Sequence, residues 1–186
     1  VICAGDSTNI FATIPNGAVN WYLEPSGGQT LNAIGIPSNE PYKVAPLVTT
    51  TYYGKSIYPA TGCKSSNRTS VTVIVNPRPQ MTSIDSTGIC SGSVLTIPLS
   101  DNIGTGTSYH WLATDNINTS GESLTTQTSS NISNTILNNT VDSQTVVYSV
   151  TPEVTATGCT GTPQTVKVTV IPTPKIAAET LSVCSG

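Results

Sequence analysis

One stretch of the chain indicates its fold: Val166-Lys167-Val168-Thr169-Val170-Ile171-Pro172-Thr173-Pro174. Its valines alternate with other residues, which is the period of a β-strand with one buried face. A Pro-x-Pro sequence then ends the strand, because proline fixes the backbone and has no amide hydrogen to donate. The same pattern occurs earlier, in Val71-Thr72-Val73-Ile74-Val75-Asn76-Pro77-Arg78-Pro79. The chain is therefore predicted to contain repeated β-rich modules.

Five cysteines mark the same repeat. Ala60-Thr61-Gly62-Cys63 recurs 96 positions later as Ala156-Thr157-Gly158-Cys159. The other three cysteines resemble one another in Ile2-Cys3-Ala4-Gly5, Ile89-Cys90-Ser91-Gly92 and Val183-Cys184-Ser185-Gly186. Each module thus has a first and a second cysteine. The predicted domains are residues 1–79 and 80–174, followed by the first strand of a truncated third repeat at 175–186.

The segments before the later first cysteines predict where each module begins. Residues 80–89 and 175–183 each separate a Pro-x-Pro hinge from a cysteine, and both are interpreted as a first strand. No such segment precedes Cys3, so the first module is expected to lack its first strand at the N-terminus. We also expect the chain to have been cut from a longer one. The hinges are expected to be short, fairly stiff spacers, since proline restricts φ.

The cysteine spacing favours disulfides over a metal site. Zinc sites use close pairs such as C-x-x-C, whereas the two nearest cysteines here are 25 positions apart and the chain has one histidine. Disulfides indicate an oxidising, exported setting. The repeat favours the pairs Cys3–Cys63 and Cys90–Cys159, with Cys63–Cys90 across the hinge as the main alternative. Cys184 is expected to pair beyond the end of the chain.

Short runs rich in Val, Ile, Thr and Tyr predict an all-β fold, and no stretch carries a helical apolar stripe. The predicted strands are residues 8–14, 19–23, 42–47, 50–58, 70–75, 94–99, 108–113, 133–137, 145–152 and 165–171. Trp21 and Trp111 lie mid-strand, and Tyr52 and Tyr148 each precede a second cysteine by 11 residues. These four rings are predicted to lie in the cores. The pattern predicts tandem sandwiches of immunoglobulin type, joined by the Pro-x-Pro hinges.

Composition excludes some classes of partner. Only 9% of the 186 residues are charged and the formal net charge is −3, so neither nucleic acid nor an anionic membrane surface is expected as a partner. No apolar run reaches the ~18 residues that a membrane span needs. Apolar residues nevertheless make up 37% of the chain, enough for it to fold.

Groups for catalysis are sparse. His110 adjoins Trp111, so strand alternation turns it to solvent and no role as a base is expected. Asp101-Asn102 and Asp115-Asn116 offer oxygens of the kind that calcium prefers, but without ligand spacing, and Asx turns explain them better. No catalytic, cofactor or metal site is predicted, and the chain is not expected to be an enzyme.

Several motifs resemble a known group of proteins. In the first module they are Asn20-Trp21-Tyr22, Thr51-Tyr52-Tyr53, Ala60-Thr61-Gly62-Cys63 and Ser70-Val71-Thr72-Val73, which look like the immunoglobulin-like repeats of very large surface proteins of Bacteroidota. In the second module, residues 145–152, 156–159 and 166–172 are similar to the PKD-like repeats of the same proteins. The resemblance implies export by the type IX pathway. It also implies a role in adhesins of gliding cells, in surface fibres or hooks, or as spacers in secreted enzymes.

The sequence also contains candidate modification and ligand sites. Asp6-Ser7-Thr8 and Asp85-Ser86-Thr87 resemble Bacteroidota O-glycosylation sites at Ser7 and Ser86, with capped turns as the alternative. Tyr22, Tyr53 and Tyr58 are candidates for stacking on sugars, although cross-strand packing also explains them. Asn-x-Ser/Thr sequons are expected by chance in this composition and occur at Asn67, Asn118, Asn131 and Asn138.

The sequence thus favours a structural repeat segment of a long extracellular surface adhesin, fibre or hook-like appendage that mediates attachment, gliding or cell contact. The alternative is a glycan-binding or spacer module of a secreted hydrolase. The expected partners are neighbouring repeats of the same polypeptide, with copies of the chain in a bundled fibre and surface glycans as further candidates.

Overall fold

A computed structural model of the protein describes residues 1–82 and 86–174. Every helix or strand assigned in these ranges is a β-strand, which confirms the predicted all-β class. The chain divides into two compact units. The first holds Val1–Arg78 together with Ala156–Cys159, and the second begins at Pro79 and holds the rest of the described residues. The change of unit thus falls inside the first Pro-x-Pro sequence.

The first unit is built from short strands, most of which pair antiparallel. Its described strands are β1 (Ile2–Cys3), β2 (Thr8–Ile10), β3 (Ala18–Tyr22), β4 (Ile36–Pro37), β5 (Tyr42–Val44), β6 (Thr50–Ile57), β7 (Thr69–Val73) and β8 (Val75–Asn76). One sheet has the antiparallel order β4-β3-β6-β7. Strand β2 pairs with β5 antiparallel, while β1 pairs with β8 in parallel.

The core of the first unit forms where these strands turn their apolar faces together. Its buried members are Ile10, Val19, Trp21, Val44, Tyr52 and Val73. Val71 and Val75 pack against the same cluster, as the period-two spacing around Val73 predicts. Trp21 and Tyr52 therefore lie in the core, with 2% and 6% of their surface exposed.

The second unit has longer strands. Its described strands are β9 (Thr87–Cys90), β10 (Val94–Pro98), β11 (Thr107–Ala113), β12 (Thr119–Ser120), β13 (Asn131–Thr135), β14 (Leu137–Asn138), β15 (Gln144–Val154) and β17 (Gln164–Ile171), with β16 (Cys159–Thr160) pairing with β15 at the unit boundary. One sheet has the order β11-β15-β17-β9. Strand β10 pairs with β13, and β12 with β14.

The core of the second unit is more completely buried. Side chains in the middle of β15 and β17 alternate between buried and at least partly exposed positions, and the buried members include Val146, Tyr148, Val150, Val166, Val168 and Val170. Tyr148 is fully buried and meets Trp111 edge to face, with ring centroids 5.9 Å apart. Burial of each such side chain contributes about 1.5–3 kcal/mol, so these six positions stabilise the sheet substantially.

The first described strand of each module is short. In the second module only Thr87–Cys90 of the expected segment is a described strand, and it pairs in parallel with β17. The preceding Met81 forms a separate bridge with Asp101. In the first module β1 makes the equivalent parallel pairing with β8 through Ile2 and Cys3, and the expectation about a segment that precedes Cys3 stays a prediction. The predicted third repeat at 175–186 lies outside the described residues.

Two glycines with similar backbone conformation differ in their surroundings, which gives a test of packing in the second unit. Gly121 and Gly104 have φ angles of +96° and +86°. A methyl group on Gly121 would lie 2.1 Å from the carbonyl oxygen of Thr135, whereas one on Gly104 would meet nothing within 4 Å. Both alanine variants incur the strain of a positive φ, about 1–2 kcal/mol. We expect Gly121→Ala to lose about 1–3 kcal/mol more than Gly104→Ala in urea unfolding. Equal losses in the two variants would show that the Thr135 contact is of no importance.

Candidate functional sites

The first cysteine of each module begins a tight turn of the same geometry. The amide of Asp6 donates to the carbonyl oxygen of Cys3, and the amide of Ser93 donates to that of Cys90, both at 3.0 Å. Gly5 and Gly92 occupy the third position of these turns, and each has a φ of +81°. A type II turn requires a positive φ at that position, which glycine adopts without steric cost. The two turns are therefore structurally equivalent.

The second cysteine of each module follows a second equivalent turn. The amide of Cys63 donates to Thr61 Oγ1 at 3.3 Å, and the amide of Cys159 donates to Thr157 Oγ1 at 3.4 Å. The intervening Gly62 and Gly158 have φ angles of +72° and +69°. The Ala-Thr-Gly-Cys motif thus encodes one local structure in both modules.

The disulfide pairing differs from the predicted one. Cys3 is bonded to Cys159, with Cα atoms 5.6 Å apart, and the sequence separation is 156 residues. Cys63 and Cys90 are exposed free thiols. The predictions Cys3–Cys63, Cys90–Cys159 and the alternative Cys63–Cys90 are therefore corrected, while Cys184 lies outside the described residues.

The reason for the corrected pairing is the position of one short segment. Ala156–Cys159 belongs to the first compact unit although its sequence is part of the second module. This brings Cys159 within bonding distance of Cys3, inside the Cα separation that disulfides require. The repeat identifies which cysteines are equivalent. It does not tell whether a first cysteine bonds within its own repeat or with the next one.

Arg78 supports the first-cysteine turn and was not singled out from the sequence. Its Nε donates to the carbonyl oxygen of Ala4 at 2.9 Å, and its guanidinium forms an ion pair with Asp6. Both side chains are more than a third exposed, so this ion pair contributes at most about 1 kcal/mol. Arg78 is the middle residue of the first Pro-x-Pro sequence, and its positive charge is the only sequence feature that sets it apart there.

A cleft of about 620 Å³ lies beside Trp21 in the first unit. Apolar groups and small polar groups share its lining, with Phe11, Ile14 and Val71 among the former and Ser66 and Asn67 among the latter. None of its lining residues is charged. Phe11 is 56% exposed, so its ring is available to a ligand.

The indole N–H groups of Trp21 and Trp111 have different surroundings. Trp21 is 2% exposed, and its Nε1 has no hydrogen-bond partner among the described residues. In the second unit, Trp111 Nε1 donates to the carbonyl oxygen of Ser129 at 3.1 Å and to its hydroxyl at 3.2 Å. A buried donor left without a partner costs about 1–3 kcal/mol. Trp21 is part of the cleft lining, but its Nε1 atom is itself buried, so the first unit retains an enclosed donor without a partner among the described residues.

The three candidate sugar-binding tyrosines occupy different environments. Tyr22 is buried, and the Arg68 guanidinium lies 3.4 Å from its ring centroid, so the expectation that this ring is open to a sugar is corrected. Arg68 also donates to the carbonyl oxygens of Glu24 and Gly27, which fixes it over the ring. Tyr53 is half-buried and pairs with Tyr22 across the strands. Tyr58 is 48% exposed.

His110 lies on β11 and pairs with a carboxylate. Its Nε2 is 3.3 Å from Glu153 Oε2 on the neighbouring strand β15, and the two side chains are 38% and 32% exposed. This partly exposed position is the one that alternation from Trp111 predicts. In the described ranges, no group of three or more His, Cys, Asp and Glu residues is placed to hold a metal ion.

The two Asx motifs considered for calcium are turns. Asp101 Oδ1 accepts hydrogen bonds from the amides of Ile103 and Gly104, at 2.6 and 3.0 Å. Asn116 Oδ1 accepts from the amide of Asn118 at 3.0 Å. These oxygens satisfy local backbone donors, which is the Asx-turn arrangement that the sequence favours.

The buried carboxylate of Asp101 also accepts a hydrogen bond from the Tyr109 hydroxyl. Burial by itself raises the pKa of Asp101, but the hydrogen bonds from Tyr109 and the two turn amides lower it below its usual value. Burial and the same hydrogen bond raise the pKa of Tyr109 to about 12. The pair is therefore held as an ionised acid and a protonated phenol across the neutral range.

Asp101 is expected to make the second unit sensitive to acid. Because folding lowers its pKa, its contribution to stability is present above the usual value of 3.8 and is lost as the pH falls through the folded-state value. Asp101→Asn should destabilise the unit by about 1–3 kcal/mol at pH 7. The difference from wild type should shrink as urea midpoints are measured at lower pH. The exposed Asp115→Asn is the control, and a difference that stays constant with pH would contradict the assignment.

The candidate modification sites are mostly open. Ser7 and Ser86 are both exposed, although Asp85 of the second motif lies outside the described residues. Among the sequons, the asparagines at 67, 118 and 131 are exposed. Asn138 is half-buried, and its amide donates to the carbonyl oxygens of Asp142 and Val170, so its role is structural.

Two family models match the chain. Residues 1–77 match the model described as "Ig-like domain CHU_C associated", and residues 87–174 match the model described as "PKD-like domain". These matches and the all-β sandwiches place both segments in the broad class of Ig-like domains. No curated protein matches the chain.

Several solved structures are similar to the chain at low identity. "DIP-gamma IG1+IG2" is 11% identical, with 94% of each chain covered and a TM-score of 0.39. "I-band fragment I67-I69 from titin" is 10% identical over 92% of this chain and 61% of that one, with a TM-score of 0.41. "S-layer protein SbsC domains 4 and 5" is 13% identical over 84% of this chain and 70% of that one, with a TM-score of 0.30.

Domains of this class that carry a disulfide indicate an extracellular or secreted protein. Within the described residues there is no helix with the length and apolar character of a membrane span.

Proposed function

We propose that the chain is a structural repeat segment of a long surface adhesin, fibre or hook-like appendage that mediates attachment, gliding or cell contact. The observation that carries this proposal is the recurrence of the same two cysteine turns in both Ig-like domains. Repeats of one local structure are the mark of proteins assembled from many similar units. On this proposal the segment has no catalytic role.

The cellular setting is part of the same proposal. The sequence resemblance supports a cell-surface protein of Bacteroidota exported by the type IX pathway. Its partners are neighbouring repeats of the same polypeptide, together with copies of the chain in a bundled fibre. A chain with 9% charged residues and a net charge of −3 carries little electrostatic repulsion, which favours side-by-side packing.

Electron microscopy of the producing cells tests this function. Antibodies raised against the chain are expected to label appendages along their length in immunogold images, and deletion of the coding region should reduce attachment to surfaces. Label confined to the cell interior would contradict the proposal. Copurification of a catalytic domain on the same polypeptide would favour the spacer of a secreted hydrolase instead.

A second candidate function is the binding of a neutral glycan in the cleft beside Trp21. Two observations favour it: the exposed ring of Phe11 and a lining without charge. A sugar presents C–H faces that can stack on an aromatic ring such as that of Phe11. Small hydroxyl and amide groups such as those of Ser66 and Asn67 suit the same ligand.

A panel of neutral polysaccharides tests the second candidate. We expect one or more to bind the wild-type chain and to lose at least tenfold in affinity with Phe11→Ala, whereas Leu47→Ala should leave binding unchanged. Leu47 is the control because it is 73% exposed and is not part of the cleft lining. Absence of binding across the panel, or equal loss in both variants, would dismiss this candidate.

A further inference from the structure

We propose that Cys63 and Cys90 form disulfides with cysteines of other copies of this repeat, according to one rule. The first cysteine of a repeat bonds with the second cysteine of the repeat that follows it. This inference goes beyond the proposed function, because it concerns how repeats are joined and holds whatever the protein adheres to.

The rule rests first on structural equivalence. Cys90 occupies the same turn as Cys3, with the same hydrogen bond and the same positive φ two residues later. Each also ends a parallel strand, since Cys3 pairs with Asn76 and Cys90 with Ile171. Cys63 occupies the same Thr-Gly-Cys turn as Cys159. The two free thiols are thus a second copy of the two bonded positions.

The bond itself is the independent observation. Cys3, a first cysteine, is covalently joined to Cys159, the second cysteine of the following repeat. By the same rule Cys90 requires the second cysteine of a later repeat, and Cys63 requires the first cysteine of an earlier one. Both thiols are exposed, so each is open to such a partner.

Two copies of this chain contain the complementary pair. Cys90 of one copy is a first cysteine, and Cys63 of another copy is a second cysteine. Their bond would reproduce the relation between Cys3 and Cys159. A bond between two Cys90 residues, or between two Cys63 residues, would not satisfy the rule.

The chemical step is an ordinary thiol–disulfide exchange with oxidised glutathione as the oxidant. The Cys90 thiolate attacks one glutathione sulfur and releases a glutathione thiolate. The Cys63 thiolate then attacks the Cys90 sulfur of the mixed disulfide and releases the second one. The protein gives up two electrons and two protons, and oxidised glutathione becomes two molecules of glutathione.

Complementary thiol variants test the rule. Both carry Cys184→Ser, which removes the remaining thiol. One also carries Cys63→Ser and keeps Cys90, and the other carries Cys90→Ser and keeps Cys63. In a glutathione redox buffer, the equimolar mixture is expected to give at least tenfold more disulfide dimer than either variant alone. Peptide mass mapping should identify a Cys63–Cys90 link in that dimer.

Two controls and their outcomes complete the test. The chain with Cys184→Ser alone should form a ladder of multimers that dithiothreitol removes, and the chain without Cys63, Cys90 and Cys184 should stay monomeric. Equal dimer formation by each variant alone would overturn the rule. So would an intramolecular Cys63–Cys90 bond in the Cys184→Ser chain, or a map without Cys3–Cys159.

Analysis of the native exported protein distinguishes a partner cysteine on the same polypeptide from one on another molecule. If the partner is another repeat of the same polypeptide, non-reducing and reducing conditions will give the same molecular mass, and Cys90 will map to a second-cysteine peptide. If the partner is another molecule, reduction will lower the mass. Free thiols at both positions in the exported protein would overturn the proposal, without bearing on the electron microscopy that tests the surface function.

Discussion

Replacing both Cys3 and Cys159 by serine is expected to lower the free energy of unfolding by about 3–5 kcal/mol. The bond joins residues 156 positions apart, and a loop of that length restricts the unfolded chain strongly. Chain entropy alone gives about 5 kcal/mol, and measured losses for native disulfides lie between about 2 and 5 kcal/mol. Urea unfolding followed by circular dichroism measures the difference.

The matched control for this variant is Cys63→Ser/Cys90→Ser. Both residues are exposed and unbonded in the chain, so their replacement should change stability by no more than about 0.5 kcal/mol. Dithiothreitol should lower the stability of wild type to that of Cys3→Ser/Cys159→Ser. Equal losses of stability in the two double variants would contradict the Cys3–Cys159 pairing.

Trp111→Ala is expected to destabilise the second unit by about 3–5 kcal/mol. The ring is 2% exposed, contacts Tyr148 edge to face and donates to Ser129, so its removal leaves both a cavity and an unused acceptor. Thermal unfolding by circular dichroism reports the loss. Leu112→Ala is the control on the same strand, since Leu112 is 38% exposed and should matter little. A loss below 1 kcal/mol for Trp111→Ala would contradict its role in the core.

The longer strands could be predicted from sequence, because burial of one face imposes its period. The predicted strand at 145–152 corresponds to Gln144–Val154, and that at 165–171 to Gln164–Ile171. The predicted strand at 8–14 ends at Ile10, and that at 42–47 ends at Val44, where Pro46 cannot donate to a neighbour. Ile36–Pro37 and Thr119–Ser120 were missed, since two residues show no period.

The sites were less predictable because they depend on contacts between distant residues. Strand alternation separates Tyr22 from Trp21, but it does not reveal that Arg68 folds back over the Tyr22 ring. The two indoles likewise differ only in the folded chain: Ser129 accepts a hydrogen bond from the Trp111 N–H, and no described residue accepts one from the Trp21 N–H. The local turns at the cysteines can be predicted from the Thr-Gly-Cys and Cys-x-Gly sequences. Which cysteines bond with each other depends on the folded chain.

The Cys3–Cys159 bond also determines how the chain responds to tension. A pull on the two ends is carried from Cys3 to Cys159 through one covalent bond, so the stretch between them, a sequence separation of 156 residues, cannot be drawn out while the bond is oxidised. Unravelled, that segment would release about 500 Å of contour length. If the proposed rule extends along many repeats, the closed loops overlap and each repeat lies within at least one of them. Such a polymer would extend much less when oxidised and would lengthen fully only as a reductant opened its sulfur bonds.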